Sequence, residues 1–171
     1  MSLQLFKIGS VEVDTPVSTI TFSSIPQGYT DLIVKICARS ADSGTVQDRI
    51  TMKINGNAYG SWTLRYLGNA NGSVATYDQT SLGSNNINYV PSSTATALTF
   101  GNCEIYIPNY NSSNYKSISI DSVMQNNATT LYYGIEAVLW SQTAAISQLD
   151  FLLASTSNYA TNSTFTLYGV L

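Results

Sequence analysis

The stretch "DLIVKICAR" (residues 31–39) sets the period of this chain. Leu32, Val34, Ile36 and Ala38 share one parity, and Ile33, Lys35, Cys37 and Arg39 share the other. Successive side chains of a strand point to opposite faces, so a period of two marks a strand with one buried side. The same period recurs in "RITMKIN" (49–55), where Ile50, Met52 and Ile54 alternate with Thr51 and Lys53. It recurs again in "YKSISID" (115–121), where Ile118 and Ile120 alternate with Ser117, Ser119 and Asp121. No window carries the 3.6-residue period of an amphipathic helix. The best short candidate, "SQTAAIS" (141–147), is expected to form no more than a turn.

Further strands are predicted near 3–8, 17–22, 61–67, 73–80, 98–107, 131–140, 146–153 and 164–170. Turn chemistry separates them: "NGNAYG" (55–60), "GNANG" (68–72) and "QNNATT" (125–130) carry the Asn and Gly that tight hairpins need. Residues 81–97, "SLGSNNINYVPSSTATA", read as one long irregular loop punctuated by Pro91. Loops of that length in a compact domain often carry contacts. Many short strands with no helix between them imply an all-β, antiparallel two-sheet sandwich, jelly-roll-like, with about 8–11 strands. The whole chain, 1–171, is expected to be one such domain without internal repeats. Residues 1–16 are expected to be an N-terminal arm or an edge strand, and "NSTFTLYGVL" (162–171) a strand paired inside a sheet.

Composition limits the partners. Charged residues make up 10% of the chain, against about a quarter in an average globular protein. Ser (23), Thr (19) and Asn (15) together supply one third of the 171 residues and replace the usual charged coat. The net charge is −3, and the seven basic residues (Lys7, Lys35, Arg39, Arg49, Lys53, Arg65, Lys116) stand singly. Nucleic acid is therefore not an expected partner, because phosphate binding needs clustered cations. No run is apolar enough for a membrane helix. "MSLQLFKIGSVEV" (1–13) lacks the basic and apolar regions of a signal peptide, so synthesis in a cytoplasm without export by the usual route is expected. Cys37 and Cys103 are expected to stay reduced there.

Much catalytic chemistry has no residues to carry it. The chain has no histidine, which removes Ser-His-Asp and Cys-His nucleophiles, histidine zinc sites and the usual general base. No metal, cofactor or catalytic set is expected. The carboxylate pairs Glu12/Asp14 and Asp42/Asp48, and Glu104, Asp121, Glu136 and Asp150 within strand-like runs, are read as solvated or turn-capping acids. A glycosidase would need two of them facing across a groove. Aromatic residues offer the other candidates. Trp62, near Tyr59 and Tyr66, and Tyr110 and Tyr115 in "EIYIPNYNSSNYKS" (104–117) could stack on a sugar, or pair across strands in the core. Trp140 is assigned to the core.

Four stretches in order resemble the small virion proteins of tailed bacteriophages. They are "STITFSSIPQGYTDLIVKICARS" (18–40), "INGNAYGSWTLRYLGNANG" (54–72), "EIYIPNYNSSNYKS" (104–117), and the closing "LWSQTAAISQLDFLLAS" (139–155) with "NSTFTLYGVL" (162–171). The resemblance implies a jelly-roll module on the particle exterior, often trimeric, with no catalytic residues to transfer. The chain has no stalk, heptads or attachment domain of a tail fibre, which favours a capsid decoration or cement protein contacting itself and the major capsid protein. Leu3, Leu5, Phe6 and Ile8, with Asn88 and Tyr89 of the long loop, are the expected interface residues. The alternative is a tail-fibre or baseplate receptor-binding module holding a host glycan with Trp62, Tyr110 and Tyr115.

Overall fold

The structure, a computed structural model, describes residues 4–56, 61–80, 85–128 and 130–171. Twelve strands follow in chain order: β1 (Leu5–Glu12), β2 (Thr19–Phe22), β3 (Asp31–Ala38), β4 (Gln47–Ile54), β5 (Trp62–Ala70), β6 (Ser73–Thr80), β7 (Asn85–Pro91), β8 (Gly101–Ile107), β9 (Lys116–Gln125), β10 (Leu131–Trp140), β11 (Leu149–Leu153) and β12 (Thr164–Val170). Among the described residues there is no helix.

The pairing is nested. β1 pairs with β12, β2 with β11, β3 with β8, and β4 with β7, all antiparallel. Two further ladders, β12 with β3 and β11 with β4, close the two halves. The result is a sandwich of β1-β12-β3-β8 over β2-β11-β4-β7, which is the jelly-roll order. Two hairpins are inserted into the roll. β5–β6 lies in the connection from β4 to β7, and β9–β10 in that from β8 to β11. Both extend the first sheet past β8, giving β1-β12-β3-β8-β9-β10-β5-β6.

The sequence builds these strands by strict alternation. Every second residue of β8 and β9 is buried, and Leu32, Val34, Ile36 and Ala38 of β3 face inward together. The inner faces close on Phe151, which meets Phe22 edge-on (centroids 6.4 Å) and Phe165 at a tilt (5.8 Å). Trp62 and Trp140, directly opposite on β5 and β10, are both buried. The β5–β6 turn is Asn71-Gly72, with φ of 52° and 89°. Both central residues of a type I′ hairpin need positive φ, so Asn and Gly belong there. Asn55, Asn109, Asn127 and Asn162 take the same left-handed conformation, giving much of the asparagine content a backbone role.

Three expectations meet the geometry. Within 1–16, Leu5–Glu12 forms β1 at the edge of the large sheet. The stretch 81–97 is not one irregular loop, because Asn85–Pro91 forms β7 at the edge of the small sheet. Its alternation is hidden by a bulge: Ile50 pairs with Asn88 and Thr51 with Asn86, leaving Ile87 as the extra residue. Cys37 and Cys103 sit on neighbouring strands, but Cys37 is exposed on the outer face and Cys103 buried on the inner one. Both are free thiols.

Candidate interaction surface

The outer face of the eight-stranded sheet changes character along its width. Over β12, β8 and most of β9 it carries Thr164, Thr166, Asn102, Glu104, Ser117, Ser119 and Asp121. Over β10 it turns apolar, with Leu67 of β5 beside it, while the other outward residues of β5 are Thr63, Arg65 and Asn69. The outward residues of β10 are Tyr133, Ile135, Ala137 and Leu139, every one exposed, while Gly134, Glu136, Val138 and Trp140 face inward. Register places Leu67 directly opposite Ile135, and Val123 opposite Tyr133. Leu67, Tyr133 and Ile135 are 51%, 50% and 58% exposed, and Val74 of β6 stands nearby at 79%. A strand apolar at both parities normally belongs to a sheet covered on both faces. Here only one face is covered.

At ordinary residue areas, the exposed parts of Leu67, Val74, Val123, Tyr133, Ile135 and Leu139 come to roughly 600 Å². Monomeric proteins rarely expose more than a few hundred Å² of contiguous apolar surface without using it. Within the patch lies a groove of about 530 Å³ lined by Leu67, Ile135, Ala137, Tyr106 and Arg65 among others. Its charges are mostly paired within the chain. Lys35 Nζ lies 3.0 Å from Glu104, and Arg65 Nε 3.2 Å from Asp78. Glu104 and Asp121 face each other across β8 and β9, with the Lys35 ammonium already on Glu104. Among the described residues no group of three or more Cys, Asp or Glu is placed to hold a metal ion.

The other residues singled out from sequence are dispersed. Leu3 lies outside the described residues. Leu5 and Phe6 are exposed on edge strand β1, with the Phe6 ring 5.9 Å from Tyr29, while Ile8 turns in at a bulge and packs on the core. Asn88 is buried with its Nδ2 unpartnered, and Tyr89 is half-buried, so neither stands on a projecting loop. Tyr89 stacks on Tyr132 (4.1 Å, 15°) with the Arg49 guanidinium 4.5 Å above its ring. Trp62 and Tyr110 are buried, the Tyr110 hydroxyl donating to the Pro26 carbonyl, so neither presents a ring to a sugar. Only Tyr115, 58% exposed, remains of that set, and among the described residues no other ring is stacked with it.

Beneath the apolar face lies an unusual carboxylic acid. Glu136 is 4% exposed, and its Oε2 has no hydrogen-bond partner. Burial pushes its carboxyl well above the usual range, opposed only by the Arg49 charge. Around it stand Tyr66, stacked on Tyr77 (4.5 Å, 16°), with Tyr89, Tyr132 and Cys103 beyond. Burial, followed by Glu136, raises both the Tyr77 hydroxyl and the Cys103 thiol. Sequence reading assigned Glu136 to a solvated or turn-capping role, and the structure corrects this.

A second feature missed from sequence is the segment 92–100. Arg39, buried without a carboxylate, donates Nη1 to the carbonyls of Thr96 (2.8 Å) and Thr99 (2.9 Å) and Nη2 to that of Ala95 (2.9 Å). These bonds clasp a loop that carries no charged residue. At its tip Leu98 is 88% exposed and held at φ 63°, a conformation unfavourable for leucine.

No protein-family model, no curated protein and no solved structure matches this chain. The functional reading therefore rests on the fold, the surface and the resemblance of the four stretches.

Proposed function

We propose that this chain is a non-enzymatic virion structural protein of a tailed bacteriophage. In this reading it is a capsid decoration or cement protein on the particle exterior, assembled as a homotrimer. It strengthens the head through non-covalent contacts with the major capsid protein. The observation that carries the reading is the apolar outer face of β10, with Leu67 and Val74 beside it, on a sheet whose outer face is elsewhere largely polar. Such a face serves a protein whose work is being covered by neighbours. The jelly-roll order and the four resembling stretches support the same reading. Added buried area between neighbouring capsid subunits raises the barrier to shell rupture, and that is the whole mechanism asked of it.

The tail-tip alternative, a receptor-binding module for a host glycan, is less well supported, since two of its three aromatic residues are buried. Immunogold labelling of intact virions with an antibody to this chain tests the proposal. Gold spread over the head is the expected result. Gold confined to the tail tip would overturn it.

A further inference from the structure

A sheet edge exposes a row of unpaired backbone N–H and C=O groups, and folded proteins blunt such edges with bulges, charges, proline or short strands. Both sheets here are open, which gives four edges: β1 and β6 on the large sheet, β2 and β7 on the small one. Three of them are blunted. β1 carries Lys7, Glu12 and a bulge between Lys7 and Gly9. β2 is four residues long, and β7 has the bulge at Ile87 and ends on Pro91. β6 has none of these. Its eight residues, "SVATYDQT" (73–80), include no Pro, Gly or Lys, and they run in unbroken register with β5. Its one charge, Asp78, is held by Arg65 at 3.2 Å. Among the described residues no strand lies on its far side.

The hairpin turn fixes which backbone groups are open. Asn71-Gly72 is a two-residue turn, so Ser73 bonds back to Ala70, and every second residue along the ladder does the same. Ser73, Ala75 and Tyr77 thus turn their N–H and C=O groups to β5, while Val74, Thr76 and Asp78 turn theirs to the open edge. We propose that β6 pairs antiparallel with β6 of a second copy about a two-fold axis at Thr76, so that two large sheets become one. The sequence of the strand supports a second copy as the occupant. An axis at Thr76 sets Thr against Thr, a favourable cross-strand pair. On the inner face it sets the small Ala75 against Tyr77, whose ring is already stacked on Tyr66. It also keeps the two Asp78 carboxylates apart, each opposite Val74 of the other copy and each with its own Arg65. A charged partner strand would find no unpaired charge on β6 to meet. Val74, Thr76 and Asp78 of both copies then form about six N–H···O bonds. The contact is isologous, so it joins copies in pairs and cannot by itself build a three-fold ring. It depends only on this edge and stands apart from the virion reading.

Sedimentation and amide hydrogen exchange of the full chain over a range of concentrations test this, under reducing conditions that silence the exposed Cys37 thiol. Association should strengthen with concentration. As it does, exchange at the Val74, Thr76 and Asp78 amides should slow by roughly tenfold or more, while the Ala75 and Tyr77 amides stay protected throughout. Thr76→Lys places two ammonium groups on the axis at an exposed position. It should restore fast exchange at Val74 and Asp78 with an unchanged circular dichroism spectrum. Thr76→Pro removes an outward donor without touching the β5 ladder, and should have the same effect. A wild type that stays monomeric at high concentration overturns the proposal and leaves the edge to a strand of another protein. Association that leaves the three amides exchanging as in the monomer, or that survives both substitutions, overturns it as well, since another surface then carries the contact. So does protection of these amides at every concentration, because the chain then covers its own edge.

Discussion

Replacing Glu136 by Gln should raise stability at neutral pH and flatten its dependence on pH. The folded carboxyl is 4% exposed, its Oε2 is unpartnered, and only Arg49 offers opposing charge. It therefore holds its proton to a pH well above that of an unfolded glutamate. Below about pH 4.3 both states are protonated and the group costs nothing. As the pH rises above that value the unfolded chain releases the proton while the folded chain keeps it. Stability then falls by about 1.4 kcal/mol per pH unit until the folded-state value is passed. Gln has the shape of the protonated acid and cannot ionise, so the fall should disappear. The chain suits the measurement because it has no histidine, the side chain whose ordinary titration would otherwise dominate this window. Urea unfolding of both proteins from about pH 4.5 to about pH 7.5 reads the slopes directly. The difference in unfolding free energy should widen in favour of Glu136→Gln as the pH rises above the unfolded value, until the folded-state value is passed. Parallel curves would refute the reasoning and mean that the carboxylate ionises in place.

Arg39→Met should destabilise the fold by about 2–4 kcal/mol, since it strips charged donors from the carbonyls of Ala95, Thr96 and Thr99. Limited proteolysis should then cut within 92–100, and a loss below about 1 kcal/mol would mean the clasp is decorative. Tyr159→Phe should be neutral to slightly stabilising on urea unfolding, because the Tyr159 hydroxyl is buried with no partner while its ring packs edge-on against Phe165 at 4.9 Å. Gly134→Ala should cost about 1–3 kcal/mol by overpacking, since its Cβ would run into the Tyr66 ring that lies across Gly134 and Gly68. A double-mutant cycle with Tyr66→Leu should recover part of that cost.

Most of the fold was legible because most strands, such as β3, β8, β9 and β10, keep one face wet. Where that holds, as in β3, β8 and β9, alternation alone locates the strand, its inward residues and its partner face. The Asn71-Gly72 hairpin was legible for the separate reason that its backbone needs two positive φ values. β7 was not legible. Its bulge at Ile87 puts Ile87 and Asn88 both inside, so the alternating pattern fails in a strand that is really there, and Pro91 is tolerated because it closes an edge strand. Strand order was out of reach as well, since β5–β6 and β9–β10 look like any other hairpins. Nothing in their residues says that they extend one sheet of a roll instead of forming part of it.

The candidate surface was missed for the opposite reason, and its signal was present. "LYYGIEAVLW" (131–140) was recognised as a strand, yet its apolar residues occupy both parities, with Glu136 on the inner one. The ordinary conclusion from such a run is a strand covered on both sides. In a two-layer sandwich no further layer of the fold lies over that outer face. An inward glutamate and an outward isoleucine on adjacent residues invert the usual rule twice. The inner inversion has a thermodynamic consequence, the pH slope of Glu136, whereas the outer one leaves Ile135 on the surface. Leu98 carries the same kind of signal, an apolar side chain sent outward on a backbone that disfavours it and held there by Arg39. Where a chain otherwise keeps so closely to alternation and turn chemistry, Ile135 and Leu98 are the departures for which the fold of one chain supplies no packing reason.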